Sequence, residues 1–176
     1  MKSEKNLVFI GMMGSGKSTI GNLVSKKLKL NFFDTDSEIE NQLKMKISEI
    51  FKEKGEIYFR NLEEKITMKK LKENNAVISL GGGTFENLKI RKDILHNHLS
   101  FWLKWEENTI LKRIRNSKKR PLAFEENESN LKNLMKRRKK IYEKALFTIK
   151  CDNLSKNEIV DKIINIYENN KDPNQN

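Results

Sequence analysis

The stretch Gly11-Met12-Met13-Gly14-Ser15-Gly16-Lys17-Ser18-Thr19-Ile20-Gly21 follows the apolar run Asn6-Leu7-Val8-Phe9-Ile10 and leads into a helical pattern. Its first eight residues fit G-x-x-x-x-G-K-[ST], which demands one particular local structure. A strand must turn tightly into a helix while backbone N–H groups converge on phosphate oxygens. Glycine supplies the backbone freedom and the close approach that this turn requires. Gly14, Ser15 and Gly16 then form the cradle, the Lys17 ammonium meets the β- and γ-phosphates, and the Ser18 hydroxyl ligates Mg²⁺. Thr19 supports the loop or touches phosphate. The loop alone names no reaction, since switch GTPases, motor ATPases and small-molecule kinases all share it.

Lys2 and Lys5 ahead of LVFIGMM imitate a signal peptide, but the apolar run is minimal and leads into GSGKST instead of a small-residue cleavage site. No run approaches the roughly 18–20 apolar residues of a membrane helix. The single cysteine, Cys151, excludes an internal disulfide and suits a reducing compartment. These readings together predict a cytoplasmic protein with no membrane partner. At 176 residues the chain has room for one domain. The net charge of +12 is unevenly spread. Lys104 to Lys150 holds 15 Lys and Arg against 6 Asp and Glu, so most of the excess sits in one block. Such a block binds nucleic acid, attracts phosphorylated small molecules, or is plain solvated helix surface.

Short β-like runs alternate with helical patterns: Asn6 to Ile10, Asn31 to Asp36, Ala76 to Leu80, Leu99 to Trp105 and Leu146 to Cys151. Capping-box spacings, Ser37 with Glu40 and Ser155 with Glu158, mark two helix starts. Phe59, Leu62 and Ile66 stripe the helix after Gly55, and Ile159, Ile163, Ile166 and Tyr167 stripe the last one. Pro121 lies in the polar segment NSKKRPLAFEENES, a mobile loop by composition, and the tail NNKDPNQN reads as frayed. The alternation predicts a parallel sheet covered on both faces, with ligands at the carboxyl ends of its strands. The segments just past those ends are GMMGSGKST, DTD and GGGT.

Asp34 and Asp36 lie two apart, so on an extended chain they face the same side. One acid can organise Mg²⁺ through water while the other orients or deprotonates an attacking hydroxyl. Alternatively Asp36 caps the following helix. Gly81-Gly82-Gly83 is costly in backbone entropy, which a close backbone approach to a ligand would justify. A loose strand-to-helix loop is the other reading. Arg60, beside Phe59, lies next to an apolar stripe, and Arg138 lies in the basic run KRRKKIYEKA. Arginine's planar fork matches a carboxylate bidentately. Arg120, before Pro121, could swing over phosphates as an arginine finger.

GMMGSGKSTIG, DTD, IFKEKGEIYFRNLE, SLGGGT, RPL and RKKIYEKA in this order resemble the shikimate kinases, small members of the nucleoside-monophosphate-kinase-like P-loop group. The cradle is widely shared, but its combination with DTD, GExxFRxxE, GGG and RPL is specific. The resemblance implies a three-layer αβα P-loop fold. Its five-stranded parallel sheet has the order 2-3-1-4-5, with helices on both faces. It also implies one domain over residues 1–170, a lid at about 116–129, and a tail at 171–176. The implied reaction moves the γ-phosphoryl group of ATP to the 3-hydroxyl of shikimate, a step toward chorismate, with one Mg²⁺ ion and a monomeric enzyme. Carried over by position, Lys17 stabilises the transferring phosphate, Ser18 binds Mg²⁺ and Asp34 holds it through water. Asp36 grips the substrate hydroxyls and serves as base. Arg60 and Arg138 clamp the carboxylate, with Gly81, Gly82 and Gly83 alongside and Phe59 lining the pocket. Arg120 reaches ATP from the lid, and Arg113 packs on adenine. RPLA in the lid and Thr84 after the glycines depart from the family pattern.

A gluconate or related polyol kinase would share the fold and the cradle but lacks a reason for paired arginines placed after GExxF and before Y-x-x-A. A nucleic-acid NTPase is suggested by the pI of 9.7. However, the basic block is broken by acids and lacks interleaved aromatics for base stacking, so no nucleic-acid partner is expected. A guanine-selecting N-K-x-D is absent from the sequence.

Overall fold

The strand β1, Leu7–Ile10, is four branched or aromatic residues in a row, each at most 1% exposed. Leu7 and Phe9 join one apolar cluster and Val8 and Ile10 the other, the alternation of a strand buried on both faces. In this computed structural model, residues 5–116 and 128–170 are described. Four more strands complete a sheet: β2 Asn31–Asp34, β3 Ala76–Ser79, β4 Leu99–Lys104 and β5 Phe147–Lys150. Their order is β2-β3-β1-β4-β5 and every pairing is parallel, as the sequence predicts.

Helices close both faces. The helix α1, Lys17–Leu28, packs Ile20 and Val24 with Ile159, Val160 and Ile163 of the last helix, α7, Lys156–Glu168, onto one face. The opposite face is covered by α4 (Leu88–Asn97), α5 (Glu107–Arg115) and α6 (Glu128–Tyr142), through Ile90, Ile94, Ile110, Ile114, Leu131 and Tyr142. Full burial of each such side chain contributes about 1.5–3 kcal/mol. Among the described residues, no helix is long and apolar enough to cross a membrane.

A third, smaller cluster, built on Ile39, Ile50, Phe59 and Ile66, joins α2 (Thr35–Leu43) to the long α3 (Ile47–Leu71). The axis of α3 breaks at Gly55, with φ 77° and ψ 169°. That break lets Ile50 and Phe59, on either side of it, meet in one cluster. A Cβ at Gly55 would find nothing within 4 Å, so glycine is needed there for its dihedral angles and not for space.

The boundaries differ from the sequence reading in three places. The strand at Asn31 ends at Asp34, whose carboxylate accepts the Ser37 N–H at 3.2 Å and so caps α2. Asp36 is therefore inside the first turn of a helix, not on an extended strand. Ser37 and Glu40 are not a capping box; Glu40 instead accepts the Ile47 N–H at the start of α3. The helix expected after Gly55 begins eight residues before it. The Ser155–Glu158 box is present with both of its bonds. The Pro121 segment and most of the expected tail lie outside the described residues.

Two measurements test this packing. Gly55→Ala should cost about 1–3 kcal/mol in urea unfolding, because only glycine adopts that conformation without strain. An unchanged midpoint would show that the break is not needed. His98, 8% exposed, lies 3.5 Å from Asp93, and its buried Nδ1 has no partner. Burial holds its pKa below the ordinary value, against the opposing pull of Asp93. Between that lowered value and the unfolded pKa of about 6.5 the unfolded chain binds more protons. Stability should thus fall as pH drops below about 6.5, and His98→Gln should remove that part of the slope.

Candidate active site

The strand β1 delivers its carboxyl end into the loop Gly11–Gly16, and α1 begins at Lys17. Gly14 and Gly16 have φ of 77° and 87°, the conformation that turns consecutive amides toward one point. The Lys17 side chain, 7% exposed, donates to the carbonyls of Gly11 at 2.8 Å and Met12 at 2.9 Å. The ammonium is thus stored on the loop it would leave for a phosphate. Ser18 donates to Asp34 Oδ2 at 2.5 Å, joining the start of α1 to the end of β2. Trp105, just past β4, donates its indole N–H to the Ser15 carbonyl at 2.9 Å and anchors the loop from the other side. The Arg113 guanidinium stacks on that indole, 3.6 Å from the ring centroid.

The glycine run past β3 is where the remaining elements meet. A Cβ placed on Gly81 would lie 2.5 Å from Asp36 Oδ1 and 3.0 Å from Glu63 Oε1. On Gly82 it would lie 3.2 Å from Arg138 Nη1 and 3.5 Å from the Met13 amide of the phosphate loop. On Gly83 it would lie 2.8 Å from Arg60 Nη1 and 2.9 Å from Arg138 Nη2. The glycines therefore serve for space: the close approach they permit is made by the protein's own carboxylate and guanidiniums. One rim thus carries an anion cradle, a carboxylate, and two cationic forks aimed at a common point.

Each fork is held by an acid. Arg60 donates to Glu63 Oε2 at 2.8 Å, and its Nε and Nη2 lie 3.3 and 3.4 Å from Glu56 Oε1. Burial acts to lower its pKa, but Glu63 and Glu56 more than compensate and keep it above the ordinary value. Glu63 is 3% exposed and accepts a second bond, from the Thr84 hydroxyl at 2.7 Å. Thr84, the departure noted after the glycines, thus acts on Arg60 through Glu63. Arg138, 6% exposed, donates Nε to Glu86 Oε2 at 2.9 Å. The neighbouring Arg137 side chain is 67% exposed, so the fork at the site belongs to Arg138. Tyr142, one turn further along α6, donates its hydroxyl to the Gly82 carbonyl at 2.5 Å. Burial pushes that phenol's pKa well above its ordinary value, so it stays a donor.

Asp34, Asp36, Lys17, Ser18, Arg60, Gly81, Gly82, Gly83 and Arg138 are therefore brought to one rim, with Arg113 beside the loop. Phe59 is 3% exposed and packs against Phe51 in a tilted pair with ring centroids 4.6 Å apart; it meets the site through Arg60, whose guanidinium lies 5.2 Å from its ring centroid. Arg120 and most of the expected lid lie outside the described residues. Sequence reasoning assigned no role to Glu63, Glu86 or Trp105. Glu63 had a local signal, its i,i+3 spacing from Arg60 on a helix. Glu86 and Trp105 had none, because their partners are distant in the chain.

The family model for shikimate kinase matches residues 13–168. The shikimate kinase of Thermodesulfovibrio yellowstonii is 40% identical over 93% of this chain and 95% of its own length. That of Bacillus subtilis is 38% identical over 92% and 88%. A solved structure of shikimate kinase from Acinetobacter baumannii in complex with shikimate superposes with a TM-score of 0.88 at 30% identity, covering 97% of this chain and 96% of that one. Deoxyadenosine kinase from M. mycoides, 18% identical with a TM-score of 0.62 and covering 93% of this chain and 99% of that one, shares the fold.

Tyr142→Phe tests the link between α6 and the glycine run. It leaves a half-buried carbonyl without its donor, so unfolding in urea should show a loss of about 1 kcal/mol. A neutral substitution would mean that Gly82 finds another partner.

Proposed function

The chain belongs to the shikimate kinase family, and we propose that it transfers the γ-phosphoryl group of ATP to the 3-hydroxyl of shikimate, on the route to chorismate and the aromatic amino acids. The observation that carries this reading is the convergence of Arg60 and Arg138 on one point beside Asp36, on the rim that holds the phosphate loop. Two planar forks suit a carboxylate better than any hydroxyl. A carboxylate-bearing polyol that meets an ATP phosphate there matches both halves of the site.

In this reading Gly14, Ser15, Gly16 and Thr19 hold the nucleotide phosphates through loop amides and the start of α1, and Arg113 flanks the base. Lys17 exchanges the Gly11 and Met12 carbonyls for phosphate oxygens and offsets charge there as the phosphoryl group moves. Arg60 and Arg138 fix the shikimate carboxylate, with Gly82 alongside, and so present the 3-hydroxyl to Asp36. Asp36 takes the hydroxyl proton while that oxygen forms its bond to the γ-phosphorus. The bond from phosphorus to the β–γ bridging oxygen breaks, and ADP leaves with that electron pair. Arg120 is assigned to ATP from the lid, and Phe59 supports the pocket wall.

The chain also fits a magnesium ion. The Ser18 hydroxyl and the Asp34 carboxylate, 2.5 Å apart, form an all-oxygen pair of the kind a hard cation prefers, with Asp34 acting through water. Bound there with the nucleotide, such an ion would supply positive charge to offset that of the phosphates. The enzyme is proposed to work as a cytoplasmic monomer.

ADP release in the presence of shikimate, gluconate or single-stranded nucleic acid tests the substrate class, and only shikimate should stimulate it. Stimulation by nucleic acid and not by shikimate would overturn the assignment. Lys17→Met should abolish turnover with the fold intact. Arg60→Ala and Arg138→Ala should each raise the KM for shikimate about tenfold or more and spare that for ATP. Equal losses for both substrates would remove the carboxylate clamp.

A further inference from the structure

Immediately after the glycine run, Thr84–Glu86 forms a single 3-10 turn. Phe85 is fully buried and anchors it in the core. Arg91 donates to the carbonyls of Phe85 at 2.9 Å and Glu86 at 3.1 Å, and the Glu86 amide donates to the Gly83 carbonyl at 2.9 Å. The backbone of Glu86 is thus pinned at its amide and its carbonyl, and that of Phe85 at its carbonyl. Its carboxylate divides between neighbours on α6: Oε2 accepts Arg138 Nε at 2.9 Å, and Oε1 lies 3.3 Å from Arg137 Nε.

A guanidinium has two usable edges. Engaging Arg138 by Nε fixes the plane of its fork and turns the Nη1–Nη2 edge toward Gly82 and Gly83. The Arg138 side chain is 8% exposed while that of Glu86 is 28% exposed, so the acid reaches in from the rim to a charge that water barely touches. Without that acid, Arg138 faces a second guanidinium, Arg60, across Gly83 with less negative charge to offset the pair.

We infer that Glu86 is a positioning residue for substrate binding: it orients the Arg138 fork edge-on to the acceptor's carboxylate without touching the acceptor. This rests on the kinase reading, in which Arg138 meets that carboxylate. The same turn then sets both arms of the clamp, since Thr84 reaches Arg60 through Glu63 and Glu86 reaches Arg138 directly.

Steady-state kinetics on the full chain test it. Glu86→Ala should raise the KM for shikimate about tenfold, with kcat and the KM for ATP within about threefold of wild type. Glu86→Gln keeps an acceptor for Arg138 Nε and should restore most of the affinity. Glu86→Asp keeps the charge but withdraws it by one methylene, and should not. Glu86→Ala placed on Arg138→Lys should add little to the KM defect of Arg138→Lys alone, because lysine has no Nε edge or planar fork for Glu86 to orient. An unchanged KM in Glu86→Ala, equal defects in the Gln and Asp variants, or additive losses in the double variant would overturn the role. If Glu86→Ala does not fold, the Gln–Asp comparison and a Glu86→Asp/Arg138→Lys double variant decide the same question. Wild-type enzyme inert toward shikimate would instead count against the kinase reading itself.

Discussion

At Gly81 and Gly83 one added methyl group would occupy space now taken by a carboxylate oxygen and the edges of two guanidiniums. The site depends on that missing volume. Asp36 arrives from the first turn of α2, Arg60 from α3, and Arg138 from α6, each held on a separate helix. They can meet only where the chain between them has no side chain, at the end of a strand whose register is fixed by β1 and β2 on either side. The Thr35 hydroxyl tightens this junction. It accepts the Gly81 amide at 2.9 Å and donates to the Ser79 carbonyl at 3.3 Å, tying the start of α2 to the end of β3.

Two like charges aimed at one point repel, and in a partly buried setting the repulsion is weakly screened. The structure resolves this with acids placed behind the forks. Glu63 and Glu56 pair with Arg60, and Glu86 pairs with Arg138. Removing one partner of such a pair leaves an uncompensated charge, which costs more than the pair itself contributes. The charges of the two forks are thus offset, and the edges nearest Gly83 remain turned toward the site. Preorganisation of this kind lowers the cost of binding by ordering the forks in advance.

Much of this was legible in the chain. The strand–loop–helix at Gly11–Gly21, the parallel sheet and the residues at its rim follow from motif spacing and alternation, and the strand order from the family resemblance. Arg138 lies four residues before Tyr142, one helical turn from the hydroxyl that donates to the Gly82 carbonyl, whereas the Arg137 side chain is mostly exposed. What the sequence hid is which partner each polar side chain takes. FFDTD reads as extended because Phe32 and Phe33 favour a strand, yet Asp34 can accept the Ser37 amide and so starts a helix at Thr35. Glu40 lost its predicted capping role to a bond with the next helix. Glu86 and Trp105 act on residues 52 and 90 positions away. Local propensity carries no information about such pairings; only the assembled sheet does.

The two halves of the site are joined by contact as well as by proximity. The Met13 amide of the phosphate loop lies 3.5 Å from where a Gly82 Cβ would be, and Tyr142 lies between the Gly82 carbonyl and Met12 Sδ, the latter at 3.7 Å. Met12 is 6% exposed and packs into the cluster that holds α6 against the sheet. Any displacement of the phosphate loop would therefore press on the same packed group that holds Arg138 and the glycine run. Close-packed interiors transmit such displacements instead of absorbing them. The phosphate loop and the paired arginines are for that reason packed as one unit, with Tyr142 at the joint, and the basic residue of the run Lys136 to Lys140 that reaches the site is the one beside that joint.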